Sequence, residues 1–402
     1  MAEKQRTWKR QAMLFLVSQC ITLFGSALVQ MAIIWYVTLQ TSSGVWVAAF
    51  TGCSYLPQFL ISFVAGVWAD RHSRKKLIIG ADSLIALATF LMVLVLPQIT
   101  DRTVILYGLL VMSVIRSLGS GVQTPAVNAV IPQLVPEEQI MRFNGMNATM
   151  QAVVQFAAPA AAGALLTINT LSSTLIIDIV TAIVGIGLFS AVMIPKQKIQ
   201  SSGTSVYKDL IIGIQYTRSD KLIGKVLAVY GHFIFLCVPA GFLSQLFVSR
   251  VFGETYWHLT AVELAGFIGM VAGGLLMSTW GGFRSRVTTL SAGLIAFGSL
   301  AIGMGSSKQF ILYLALMVIY GVAITMVQTA TTTLIQEKAE ITMQGRVFGL
   351  LGAMYSGFLP IGMAIFGPMA DKIPLQWIMI GSGIALIILS IFVGTNKEMR
   401  LN

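Results

Sequence analysis

Charge is what this sequence has least of. Only 10% of its 402 residues are Asp, Glu, Lys or Arg, whereas 56% are hydrophobic and the mean hydropathy is +0.82. A soluble globular protein has roughly a quarter of its residues charged. So few charges cannot keep the surface of a 402-residue chain wet, which leaves lipid as the solvent. Cysteine is also scarce. Cys20, Cys53 and Cys237 all lie in apolar stretches and none has metal-ligand spacing, which argues against both a disulfide framework and a thiolate metal site. There is no Walker A loop, dinucleotide fingerprint, nucleophile elbow or metal-binding cluster, so neither ATP drive nor enzymatic chemistry is expected and no cofactor is implied. A voltage-sensor arginine array and a selectivity-filter repeat are missing as well.

What fills the chain instead is a series of apolar runs. A helix needs roughly 20 such residues to cross the hydrocarbon core. Twelve spans are predicted, at 12–37, 45–69, 77–97, 103–127, 143–168, 172–194, 222–249, 258–280, 287–306, 309–335, 346–369 and 374–394. The basic start, with Lys4, Arg6, Lys9 and Arg10, resembles a signal peptide. The run behind it is too long and lacks a small-residue cleavage site, so it reads as a first transmembrane helix.

The net charge of +11 raises the question of nucleic acid. The basic residues, however, sit in short runs between spans, and no nucleic-acid partner is expected. With the N-terminus placed in the cytoplasm, 21 of the 26 Lys and Arg fall in cytoplasmic segments. Only Arg102, Arg250, Lys308 and Lys372 fall outside, and Arg116 lies within a span. This is the bias that orients membrane helices, and it puts both termini inside.

The longest break, 195–221, is basic, polar and Gly/Ser-containing, and its 207–218 portion is amphipathic, as for a helix at a membrane surface. The expected plan is an all-α membrane protein of two pseudo-symmetric six-helix bundles, 1–194 and 222–402, joined by a cytoplasmic linker at 195–221. The halves echo each other. Pro159 and Pro360 stand 201 residues apart, and each follows an acidic loop, Glu137-Glu138 or Glu337 to Glu340. Transporter halves related by an axis along the membrane normal leave such traces.

Ionisable residues inside spans are functional candidates by default. The acidic ones are Asp82, Asp178 and Glu263, and the basic one is Arg116. Each carboxyl could carry a proton; Asp82 and Asp178 could equally be structural, and Glu263 could simply be solvated near the end of its span. Arg116 could instead satisfy backbone carbonyls. A cavity for an amphipathic substrate mixes aromatic surface with a few polar groups. Candidates are Gln19, Thr22 and Gln30 in span 1, Gln151, Gln155 and Phe156 in span 5, His232 and Phe235 in span 7, and Tyr320 and Gln328 in span 10. A lone intramembrane His232 is as readily a bonder between helices.

Between spans 2 and 3 the chain reads Gly66-Val-Trp-Ala-Asp70-Arg71-His-Ser-Arg74-Lys75. This resembles the G-x-x-x-D-R-x-x-R-K signature of the major facilitator superfamily. Gly281-Gly282-Phe-Arg284-Ser-Arg286 stands where a second copy belongs and lacks the aspartate. The resemblance implies that Asp70 faces the N-terminus of helix 11, near Gly345 and Arg346, and latches the inner gate, with Arg71, Arg74 and Lys75 pairing to acidic loops. A helix N-terminus carries about half a positive charge, worth about 0.3–1 kcal/mol to an exposed anion. Arg116 matches the family's span 4 arginine, linked to proton transfer, although Gly119 and Gly121 are displaced from the usual spacing. Ala158, Pro159 and Gly163 resemble the antiporter signature G-P-x-x-G-G with alanine in place of two glycines; close packing of small residues explains them too.

The strings Gln30-Met-Ala-Ile-Ile-Trp-Tyr36, Ile79-Gly-Ala-Asp82, Ile115-Arg-Ser-Leu-Gly119, Thr124-Pro-Ala-Val-Asn-Ala129, Leu134-Val-Pro-Glu-Glu-Gln139 and Phe366-Gly-Pro-Met-Ala-Asp-Lys-Ile373 are similar to the macrolide-efflux group of drug:proton antiporters. That implies a multi-pass carrier of the bacterial inner membrane, and a monomer is expected. It would export a bulky amphipathic compound, macrolides first, with the proton as coupling ion. Related exporters can work with an ATP-binding partner subunit. The resemblance also implies that span 8 lines the cavity, which favours Glu263 as the proton carrier. Uptake or export of a metabolite or siderophore on the same fold is the competing reading.

Overall fold

The computed structural model describes residues 2–136, 139–168, 170–194, 206–340 and 343–395. Among them there is no strand. Fourteen α-helices follow in chain order: α1 (Ala2–Thr41), α2 (Gly44–Arg71), α3 (Arg74–Val95), α4 (Arg102–Leu134), α5 (Ile140–Ile168), α6 (Leu171–Ser190), α7 (Val206–Ser219), α8 (Lys221–Gly241), α9 (Ser244–Val251), α10 (Tyr256–Trp280), α11 (Arg286–Ser306), α12 (Phe310–Lys338), α13 (Gln344–Lys372) and α14 (Leu375–Thr395). Twelve stretches are long and apolar enough to cross a membrane, with α8 and α9 together forming the seventh. They coincide with the twelve predicted spans to within a few residues at most ends. The broken seventh span is the feature the hydropathy pattern did not suggest.

Local chemistry starts and stops these helices. Asp101 and Asp220 cap α4 and α8, accepting from Thr103 N at 2.7 Å and Leu222 N at 2.9 Å, which satisfies donors left over in a first helical turn. Gly281 ends α10 in the left-handed region at φ 73°, and Gly282 follows at φ 81°. Glycine is needed at both, since a side chain there strains the backbone. The turn lets Arg286 donate to Gly281 O at 2.8 Å and pair with Glu337 at 3.1 Å.

The chain forms two compact units. Unit 1 comprises Met1–Val37 and Phe50–Gly203; unit 2 comprises Thr38–Ala49 and Thr204–Asn402. Lipid is as apolar as leucine, so helix association depends on close packing rather than on burying oily surface from water. In unit 1, Phe15 lies 6.3 Å from Phe143 and 5.8 Å from Phe189, above Ile78, Val130 and Leu134. In unit 2, glycines bring helices together. A Cβ on Gly269 of α10 would stand 2.0 Å from Val318 O of α12, and one on Gly298 of α11 2.6 Å from Gly383 O of α14.

Candidate functional site

Four helices of unit 1 converge on Arg116. Its guanidinium pairs with Asp178 of α6 and donates to Thr89 Oγ1 of α3 at 2.6 Å and Ser26 O of α1 at 3.4 Å. Thr89 Oγ1 lies 3.0 Å from Asp178 Oδ2. Arg116 and Asp178 are 5% and 1% exposed. A charge this deep must be paired and hydrogen-bonded, because its desolvation costs several kcal/mol otherwise. Both candidates thus belong to one neutral cluster. Gly25 makes room for it, since a Cβ there would sit 3.2 Å from Asp178 Oδ1.

The rest of the α4 segment has equally specific partners. Pro57 lies inside α2, and at the next residue Ser117 of α4 reaches the backbone of that helix. Ser117 Oγ accepts from Gln58 N at 2.9 Å and donates to Ser54 O at 2.7 Å. It thereby bridges a donor and an acceptor four residues apart, the pair that a regular helix joins directly. Ser54 Oγ in turn accepts from Gln30 Nε2 at 2.8 Å. Gly119 packs against Ile85 and Gly121 against Gln58, with hypothetical Cβ distances of 2.6 Å and 2.8 Å. These two glycines stand where α3 and α2 cross α4.

Asp82 is buried at 5% exposure and accepts from Gln123 Nε2 at 2.6 Å. In unit 2 the third intramembrane carboxyl has a matching arrangement. Glu263 Oε2 accepts from Gln245 Nε2 at 3.0 Å. The break at Phe242-Leu243, between α8 and α9, is what turns Gln245 toward α10. Gln245 Oε1 is buried and has no protein partner.

The signature between α2 and α3 is partly described. The surroundings of Gly66 and the side chains of Asp70 and Arg71 lie outside the described residues, as do Glu137 and Glu138. Arg74 donates to Ala129 O at 2.8 Å. Lys75 donates to Ser190 O and Val192 O at 2.7 and 2.8 Å, at the C-terminal end of α6, where a cation complements the exposed carbonyls. Arg346 stands in the first turn of α13, 3.2 Å from Met343 Sδ. In α5, Ala158, Pro159 and Gly163 are buried, and Thr167 bonds back to Gly163 O at 2.7 Å.

The cavity candidates divide. Gln151, Gln155, Phe156, Gln328 and His232 are exposed. His232 Nδ1 is 2.7 Å from Ala228 O on its own helix. Phe235 is half-buried, 5.0 Å from Phe366. Tyr320 packs in the unit 2 interior, 4% exposed and 4.3 Å from Phe297. Thr22 bonds Ser18 O at 3.1 Å. Gln19 is 2% exposed, with Nε2 lacking a protein partner. Sequence reading singled out no role for Thr89, Ser117, Gln123 or Gln245. Their signal was present, as polar residues in apolar spans, but their partners are 18 to 89 residues away in the chain.

Twelve apolar stretches long enough to cross a membrane, with ionisable and amide groups paired inside them, describe a polytopic membrane protein. The Major Facilitator Superfamily model matches residues 15–363, and the chain belongs to that superfamily. Macrolide efflux protein A of Streptococcus pyogenes is 30% identical, over 99% of this chain and 98% of that protein. Macrolide efflux protein A of Enterococcus faecalis is 31% identical, over 77% of this chain and 96% of that protein. The staphyloferrin A transporter of Staphylococcus aureus is 20% identical, over 96% of each. Among solved structures, a bacterial homologue of the human lysosomal transporter Spinster shares the fold with a TM-score of 0.74 at 15% identity, over 97% of this chain and 98% of that chain. A bacterial homologue of the iron transporter ferroportin does so with a TM-score of 0.73 at 18% identity, over 96% and 99%. The protein is a multi-pass membrane carrier and not an enzyme, and the bacterial inner membrane fits its bacterial relatives.

Proposed function

We propose that this carrier exports amphipathic drugs, macrolide antibiotics first among them, in exchange for protons by alternating access. The observation that carries the substrate class is the 30% identity to macrolide efflux protein A along essentially the whole chain. Coupling to protons is supported by carboxyls held inside the spans, where a charge is tolerated only with a partner. Glu263, bonded to an amide, can change its charge without breaking an ion pair. Asp178 can do so only by losing Arg116. Glu263 is therefore the proton carrier in this reading, and the Arg116–Asp178 pair holds the unit 1 helices in register. Asp70 latches the inner gate against the start of α13. The protein works as a monomer with no bound cofactor, and an ATP-binding subunit is a candidate partner.

Accumulation of labelled erythromycin in cells with and without the chain tests this. Lower accumulation, abolished by a protonophore, is expected. Equal accumulation would move the substrate to another class. The similarity to a staphyloferrin A transporter favours a siderophore as the second reading. Thermal stabilisation of the purified protein by staphyloferrin A, and not by a macrolide, would select it.

A further inference from the structure

The turn between α1 and α2 departs from its surroundings. Both flanking helices run in unit 1, yet Thr38–Ala49 packs as part of unit 2. Ser42 in this turn has φ 46°, the only positive φ of a non-glycine residue among the described ones, a conformation that persists only where neighbours over-determine it.

Two charged residues hold it. Asp371, in the last turn of α13, accepts from Gly44 N at 2.6 Å, Val45 N at 3.0 Å and Ser43 Oγ at 2.7 Å. Its carboxylate therefore caps the first turn of α2, where free N–H groups and the helix dipole favour an anion. Arg250, in the last turn of α9, pairs with Asp371 at 2.7 Å. It also donates to Ser42 O at 3.1 Å and Ala370 O at 2.5 Å, so one guanidinium spans the strained turn and the exposed carbonyl end of α13. Beneath it the backbones nearly touch: a Cβ on Gly44 would stand 2.2 Å from Gly367 O, and one on Gly367 2.5 Å from Ala48 Cβ.

We infer that Asp371 and Arg250 form a releasable latch that holds the α1–α2 turn against the ends of α9 and α13, at the end where α2 begins. The charge distribution along the chain puts that end outside. Release is feasible because both side chains are about a quarter exposed, at 25% and 26%, so water can replace each bond they give up. A fully buried pair such as Arg116–Asp178 has no such exchange open to it. The device uses the same two helices as the signature aspartate with the roles exchanged. Asp70 stands at the C-terminal end of α2 and is expected to meet the start of α13, whereas Asp371 stands at the C-terminal end of α13 and meets the start of α2. The inference rests on the alternating-access reading and on no particular substrate.

Val47, 3% exposed under the turn, supplies the probe. Val47→Cys is placed in a chain whose three native cysteines are serine, purified into nanodiscs so that both faces are accessible, and reacted with a polar maleimide. Charge-assisted hydrogen bonds of this kind shift an equilibrium by on the order of tenfold each. Asp371→Asn and Arg250→Gln should therefore each raise the labelling rate on the order of tenfold. Unchanged rates in monodisperse variants overturn the latch. If Asp371→Asn does not yield folded protein, Arg250→Gln alone decides, because it leaves the cap on α2 intact. The readout needs no substrate, so an error over macrolides leaves the labelling result standing.

Discussion

Arg116 and Asp178 are ion-paired across 62 residues of sequence, and neither side chain is more than 6% exposed. Removing one partner strands the other charge in the interior of unit 1. Arg116→Ala should then destabilise the protein by about 3–5 kcal/mol, and Asp178→Ala similarly, whereas the double replacement Arg116→Met with Asp178→Leu should cost far less than the two singles together. Thermal unfolding of the detergent-purified variants measures this. Additive losses would mean that the two residues do not act as a pair.

Ser117 is a side-chain link in the backbone of another helix. Ser117→Ala leaves Gln58 N–H and Ser54 C=O without the hydroxyl that joins them, a loss of about 1–3 kcal/mol for buried groups left unsatisfied. The effect should be local. Hydrogen exchange should accelerate at amides 58–61 and stay unchanged at the far end of α4. Uniform protection across α2 in the variant would show that the Ser117 link does not hold this stretch of the helix.

Two glycines of α10 separate packing from mere composition. Gly269→Ala places a methyl group 2.0 Å from Val318 O, whereas a methyl at Gly274 meets nothing within 4 Å. The backbone of α12 cannot yield as a side chain can, so Gly269→Ala should destabilise by at least about 1–3 kcal/mol. Gly274→Ala should be neutral, or stabilising by up to about 1 kcal/mol through helix propensity. Melting temperatures of the two variants, compared side by side, decide it; equal values would refute the close approach.

This contrast shows why some of the molecule was legible in the sequence and some was not. Hydropathy and the run of basic loops report on lipid, a solvent every span meets, so twelve spans could be placed from residue type alone. The signature beginning at Gly66 and the string Ile115-Arg116-Ser117-Leu118-Gly119 pointed to the superfamily for the same reason, since each is contiguous. The pairing of Arg116 with Asp178 was not legible, because both appeared as isolated charges in separate spans. The displaced glycines Gly119 and Gly121 looked like a flaw in a motif until their crossing partners, Ile85 and Gln58, were known. Asp371 appeared only inside the string Phe366–Ile373, and nothing local distinguished it from a loop carboxylate. The bonds that give it meaning run to Ser43, Gly44 and Val45, more than 320 residues earlier.

Glu263 and Gln245 form a pair whose bond can reverse. Glu263 Oε2 accepts from the amide Nε2 at 3.0 Å while the amide Oε1, buried, has no protein partner. A charged carboxylate can only accept; a neutral carboxyl has one proton to donate, and a half-turn of the Gln245 amide presents Oε1 to receive it. Protonation thus exchanges one hydrogen bond for another instead of breaking an ion pair. If Glu263 is the coupling group, Glu263→Gln mimics the proton-loaded state at every pH. The variant should bind substrate with the parent's low-pH affinity throughout, and drug-driven exchange in proteoliposomes should lose its dependence on a pH gradient. Gln245→Leu should keep a pH dependence with a shifted midpoint, because the titrating group remains while its partner is gone. A Glu263→Gln protein that still responds to pH as the parent does would exclude Glu263 from coupling and leave Asp82, which is likewise bonded to an amide at Gln123, as the next residue to test.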